Sequence, residues 1–247
     1  MTDRAILFAH RGASALAPEN SLTAFRLALE LGATGLESDV HVSRDGVAIL
    51  VHDPVEIIAG RRVVVGDTEA AELERLERPS LRSLYRMAGN AFALSLDLND
   101  ADPLAAATAV IQAAEESGPD ALGGLLLCHG RLRVLEAIRR RHPDVGLVHS
   151  TAPRYMTGMA AHAQRLADLD VVAVNLRWSD WDADRVGGDA IAAAHEAGLR
   201  AFAWDTQTVE LAARMLDQGV DGIYADDPSV LVEAARRRAS SAALEGS

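Results

Sequence analysis

The stretch RAFAWDTQTVELAARMLDQGVDGIYADDP, residues 200–228, contains one structural unit twice over. An apolar run from Arg200 to Trp204 leads into a helical pattern starting near Thr208, and a second run from Gly222 to Ala225 leads into another helix start at Pro228. Two strands joined through a helix run parallel, and such crossovers are right-handed. Working outward, the same order recurs about eight times along the chain. Further strands are expected at Ile6 to Ala9, Gly35 to Val40, Ala91 to Leu98, Gly123 to Cys128, Val145 to His149 and Val171 to Leu176. Helices are expected to start near Ser21, Ser80, Pro103, Arg131, Pro153 and Asp184, several on residues that cap free amides.

Eight such units close naturally into an α/β fold of the TIM (β/α)8 type. Polar residues follow the strands all along the chain, whereas a doubly wound open sheet gathers its ligand groups at one switch point. The expected organisation is a single barrel domain over residues 1–238, then a tail, 239–247, that frays. One irregularity follows the second strand. Arg44-Asp45-Gly46 is a turn signal and Val47 to Val51 a second extended run, so a hairpin is expected. Residues 53–78 should form a small insertion over the barrel mouth, with Glu69 to Leu76 helical.

Composition narrows the function classes. With 49% hydrophobic and 24% charged residues in 247, the chain is an ordinary globular one. Its net charge of −12 argues against nucleic acid or an anionic membrane as the main partner. No apolar run reaches the ~18 residues of a membrane-spanning helix, and Met1 to His10 lacks the layout of a secretory signal, so a cytoplasmic protein without stable membrane insertion is expected. Cys128 is the single cysteine, which excludes internal disulfides and multi-thiolate zinc sites. The chain has no lysine, so all 24 basic residues are arginines. No pattern forces an oligomeric interface.

The chemistry starts at Glu37-Ser38-Asp39. A strand's period of two turns both carboxylates toward the mouth, where two acids this close call for a hard cation such as Mg2+ or Ca2+. Asp97 ends the next barrel strand and supplies a third acid, with Asn99 two residues on. His10 ends the first strand and His52 ends the hairpin's return. Imidazoles titrate near neutral pH, so a pair flanking a phosphorus centre can exchange protons with nucleophile and leaving group. Arg11 adds a fork that fits phosphate oxygens, and the same side chain also suits an ion pair with Glu19 or Asp39.

His10-Arg11-Gly12, Pro18-Glu19-Asn20-Ser21, Ala24-Phe25, Glu37-x-Asp39, Asp45-Gly46 and His52-Asp53 together resemble the glycerophosphodiester phosphodiesterase family. Pro79-Ser80-Leu81, Trp204 and the closing Gly219-Val220-Asp221-Gly222-Ile223-Tyr224-Ala225-Asp226-Asp227-Pro228 extend the resemblance to nearly the whole chain. It implies a TIM barrel, one divalent cation, and hydrolysis of a small-molecule glycerophosphodiester to sn-glycerol 3-phosphate and an alcohol. It further implies that Glu37, Asp39 and Asp97 bind the metal, that His10 and His52 act as acid and base, and that Arg11 holds phosphate. Glu19 and Asn20 would brace the mouth, and Trp204 would wall the glycerol or head group.

Two departures stand out. Where the family has glutamate, any residue, then lysine, this chain reads Asp97-Leu98-Asn99, so Asn99 would meet substrate without a charge. Arg177 and His129 are the strand-end candidates for the missing positive charge, although Arg177 could instead pair with Asp180 or Asp182 in its own loop. The excursion reads Ile57-Ile58-Ala59-Gly60-Arg61-Arg62, and its two arginines either greet an acidic head group or form a solvated face. A lysophospholipase D-like diesterase and a non-catalytic barrel that binds metal and phosphate are the competing readings.

Overall fold

The computed structural model describes residues 5–181 and 189–245. Eight parallel strands close on themselves in the order β1 (Ile6–His10), β2 (Gly35–Val42), β6 (Ala93–Asp97), β7 (Leu125–His129), β8 (Gly146–Ser150), β9 (Ala173–Arg177), β10 (Arg200–Trp204) and β11 (Gly222–Ala225), and β11 pairs back onto β1. This is the expected TIM barrel. Each strand lies within two residues of its expected bounds.

Alternation along the strands divides the core in two. Phe8, Leu126, Cys128, Val148, Ala173, Phe202 and Tyr224 fill the barrel's inside, with Phe8 stacked on Tyr224 at 4.4 Å between ring centroids. The opposite strand faces, carrying Leu7, Leu36, Leu127, Leu147, Val174 and Ala201, pack under the helices. Gly35 makes room for the inner layer, because a Cβ there would sit 2.6 Å from the Phe8 ring. Helix starts follow the capping chemistry: Ser21, Ser80 and Thr208 accept from amides three residues on, and Asp102 caps the helix that begins at Pro103.

The hairpin after β2 is present. β3 (Ala48–Leu50) pairs antiparallel with it, and Val40 faces Leu50. The insertion has more structure than its missing period suggested: β4 (Val55–Ile58) and β5 (Arg61–Val64) form a second hairpin, followed by a helix at Ala70–Arg75. A separate small core of Ile49, Val51, Val63, Val65, Ala70 and Leu73 holds it down. The final helix runs from Pro228 to Glu245, into the segment expected to form the tail. Alanines at 239, 242 and 243 are strong helix formers, and no breaker precedes Gly246. The start expected at Asp184 lies outside the described residues; the helix described there is Ala190–Glu196. No helix among the described residues is long and apolar enough to cross a membrane.

Candidate active site

Parity on the strands decides what reaches the mouth. Phe8 and Phe202 point inward, so His10 and Trp204, two residues on, point inward one layer higher. Strand register places His10 beside Glu37, and Asp39 beside Asp97. One ligand oxygen from each of Glu37, Asp39 and Asp97 lies within 4.8 Å of the other two. Glu37 and Asp39 are buried. Burial, and then the charges of Asp39 and Asp97, hold the Glu37 carboxyl well above the usual carboxylate range, while burial and Asp39 push Asp97 up to about 6.

Three crowded acids resist ionising together unless a cation neutralises them. Asp39 Oδ2 is buried and accepts no hydrogen bond; Arg11 Nε lies 3.1 Å away without hydrogen-bond alignment. An all-oxygen donor set with an orphaned carboxylate oxygen fits a hard divalent ion. The cluster could therefore hold such an ion.

Both histidines are backed by carboxylates. His10 Nδ1 lies 2.7 Å from Asp226 Oδ1, and His52 Nδ1 lies 2.9 Å from Asp53 Oδ1. Engaging Nδ1 presents Nε2 as the working nitrogen. His10 Nε2 is 3.8 Å from Glu37 Oε2, which sets it at the acid cluster.

Arg11 sits in a tight turn with φ +53°, and its N–H donates to Glu37 Oε2 at 3.0 Å. Gly12 follows at φ +77°, and a Cβ there would meet the Ala24 carbonyl carbon at 2.7 Å, so the turn requires glycine. The Arg11 guanidinium reaches Glu19 at 3.0 Å as well as Asp39, which joins the two ion pairs anticipated for it. Asn20 is buried and accepts from the Ser38 hydroxyl at 2.7 Å, steadying the residue between the two acids of β2.

The departures resolve differently from expectation. Asn99 turns its amide onto Asp39 Oδ1, to which it donates at 2.7 Å. Arg177 pairs with Asp205 across the strand gap through two hydrogen bonds to Oδ2, and Asp182 lies outside the described residues. His129 does not face the mouth. It neighbours Cys128, which points inward, and its Nδ1 accepts from the Arg131 N–H at 2.9 Å. Arg61 is bonded to Glu72 within the insertion.

A cavity of about 220 Å3 opens beneath these groups, floored by Ser95, Ser150, Asn175 and Tyr224. Asn175 is only 6% exposed, and its Oδ1 has no hydrogen-bond partner. Sequence reasoning missed Asp226, Asn175 and Ser150. Asp226 stood inside the quoted closing motif without a role, and the other two sit at inward positions near strand ends. A larger apolar hollow of about 450 Å3 at the barrel's other end, beside Leu7 and Val232, has no histidine, cysteine or carboxylate among the described residues that line it.

Fold and site together define a TIM barrel with a cluster of three carboxylates that could hold a metal ion, beside an imidazole backed by a carboxylate, at its mouth. A sequence profile of the glycerophosphoryl diester phosphodiesterase family matches residues 10–115. A glycerophosphodiester phosphodiesterase of Caldanaerobacter subterraneus is 25% identical over 95% of this chain and 99% of its own. A probable glycerophosphodiester phosphodiesterase 2 of Mycobacterium tuberculosis is 28% identical over 92% of this chain and 89% of its own. Among solved structures, an Oleispira antarctica phosphodiesterase in complex with the product sn-glycerol-3-phosphate superposes with TM-score 0.78 at 22% identity, covering 94% of this chain and 96% of the other. The chain is thus similar to the glycerophosphoryl diester phosphodiesterase family over residues 10–115, and to glycerophosphodiester phosphodiesterases over nearly its whole length.

Proposed function

We propose that the chain is a metal-dependent glycerophosphodiester phosphodiesterase that releases sn-glycerol 3-phosphate and an alcohol. The observation that carries this reading is the convergence of Glu37, Asp39 and Asp97 on one point beside His10. These three acids would hold one Mg2+ or Ca2+ ion, which when bound supplies a Lewis acid for the charge that grows on the phosphoryl oxygens.

The chain's own residues do the rest. His10 and His52, with Nδ1 engaged by Asp226 and Asp53, move protons at Nε2 to and from nucleophile and leaving group. Arg11 Nη1 donates to Glu19 and Nε lies against Asp39 without a hydrogen bond, which leaves Nη2 as the edge for a phosphate oxygen. Asn175 Oδ1, buried without a donor, accepts from a glycerol hydroxyl on the cavity floor, with Ser150 beside it.

The experiment is hydrolysis of glycerophosphodiesters with and without a chelator. Expected are loss of turnover on chelation and losses of about 10²- to 10⁴-fold in His10→Ala and His52→Ala. Parent-like turnover by either variant, or indifference to chelation, sinks the assignment.

One observation favours a second reading. Among the described residues the exposed large hydrophobics are Leu16, Val55, Ile57, Tyr155 and Trp204; the first four lie on segments that follow barrel strands at the mouth and Trp204 ends β10. An apolar rim suits a lysophospholipid. Cleavage of a lysophospholipid faster than of the deacylated diester would establish that substrate instead.

A further inference from the structure

Asp205 follows Trp204 in the left-handed region at φ +67°, a conformation that aspartate tolerates better than most residues but still at a cost. Thr206 holds the bend by donating its N–H and its hydroxyl to the Tyr224 carbonyl at 2.9 and 2.8 Å. The bend brings the Asp205 carboxylate to Arg177, whose Nε and Nη2 donate to Oδ2 at 2.9 and 2.7 Å. Arg177 ends β9 in register with Trp204, and its guanidinium carbon lies 5.9 Å from the Trp204 ring centroid.

An aromatic face beside a carboxylate is a receptor for alkylammonium groups. Here the chain fills that receptor with a cation of its own. The corner lies at the open lip of the mouth, with Trp204 41% exposed, whereas Asn175 and Ser150 line the cavity floor. The closed floor suits the glycerol unit common to all such diesters, and the open lip suits the variable alcohol. Because Asp205 cancels the charge of Arg177, an anionic alcohol gains nothing there. Hydroxyl groups still find Arg177 Nη1 to donate and Asp205 Oδ1 to accept.

We propose that Arg177, held across Trp204 by Asp205, sets head-group specificity by shutting choline- and ethanolamine-type cations out of the lip and admitting neutral polyol alcohols. The inference rests on the diesterase reading above, and it is tested by two variants that bare opposite charges. Arg177→Ala leaves Trp204 beside an unpaired carboxylate, and should raise kcat/KM for glycerophosphocholine relative to glycerophosphoglycerol by about tenfold. Asp205→Ala leaves an unpaired guanidinium and should lower the same ratio. A ratio unchanged in either variant overturns the inference.

Calorimetric titration with choline chloride alone separates this inference from the activity. Binding to the Arg177→Ala variant and not to the parent supports it; binding to both or to neither overturns it. A parent inert on every diester defeats the diesterase reading, and the choline titration then decides the role of Arg177 independently.

Discussion

His10 Nδ1 lies 2.7 Å from Asp226 Oδ1, a hydrogen bond between residues 216 positions apart. Barrel closure makes it, because β1 pairs with β11 and Asp226 follows that last strand directly. The carboxylate orients the imidazole and selects the tautomer that leaves Nε2 basic.

Asp226→Asn should therefore lower kcat by about 10²-fold or more with KM little changed, since an amide can present its N–H to Nδ1 and reverse the tautomer. Steady-state kinetics on a glycerophosphodiester provide the check. A fall confined to KM would reassign Asp226 to substrate binding.

Cation binding at the acid cluster should stabilise the fold. At a hundred times its dissociation constant a ligand adds about 2.7 kcal/mol, which for a chain of this size raises Tm by about 5–10 °C. Glu37→Gln should abolish the rise and, measured in chelator, melt above the parent, because it removes one of three mutually repelling buried acids. Thermal denaturation with and without Mg2+ or Ca2+ measures both effects.

Asn99→Ala removes the donor that fixes Asp39 Oδ1. Partners of metal ligands are worth about 10- to 100-fold in affinity, so the cation concentration giving half of the Tm rise should increase by that factor. If Asn99 met substrate alone, cation affinity would stay put and KM would rise.

His149 offers a pH test outside the acid cluster. It is buried on β8, with Nδ1 3.0 Å from His162 Nε2 and Nε2 donating to the Gly130 carbonyl at 3.2 Å. Burial, and then His162, lower its pKa from 6.5 to about 4. The unfolded chain binds the proton first, so this contribution is complete above pH 6.5 and is lost as pH falls toward 4. On the order of 2 to 3 kcal/mol is at stake. His149→Gln should flatten the fall of Tm across that window, while a parallel profile would place the acid sensitivity elsewhere.

Much of the molecule was legible in the chain. Alternation of apolar runs and helical patterns is a local property, and it located the barrel strands. Strand parity turned Glu37 and Asp39 to one side, and the strand ends marked His10, Asp97 and Trp204. The insertion was less legible, because β4 and β5 are short strands whose pairing depends on Val63 and Val65 packing over Ile49 and Val51.

What the sequence determined by itself was the repeating unit, and with it a parallel barrel and a mouth rich in acids and imidazoles, because side-chain direction along a strand or helix follows from backbone geometry alone. What only the tertiary structure decided was partnership: Asp226 with His10, Asn99 with Asp39, Asp205 with Arg177, and Asn175 with no partner. These depend on which strands become neighbours, on their register when the ring closes, and on single backbone bends such as the one at Asp205. None of those can be read from spacing along the chain.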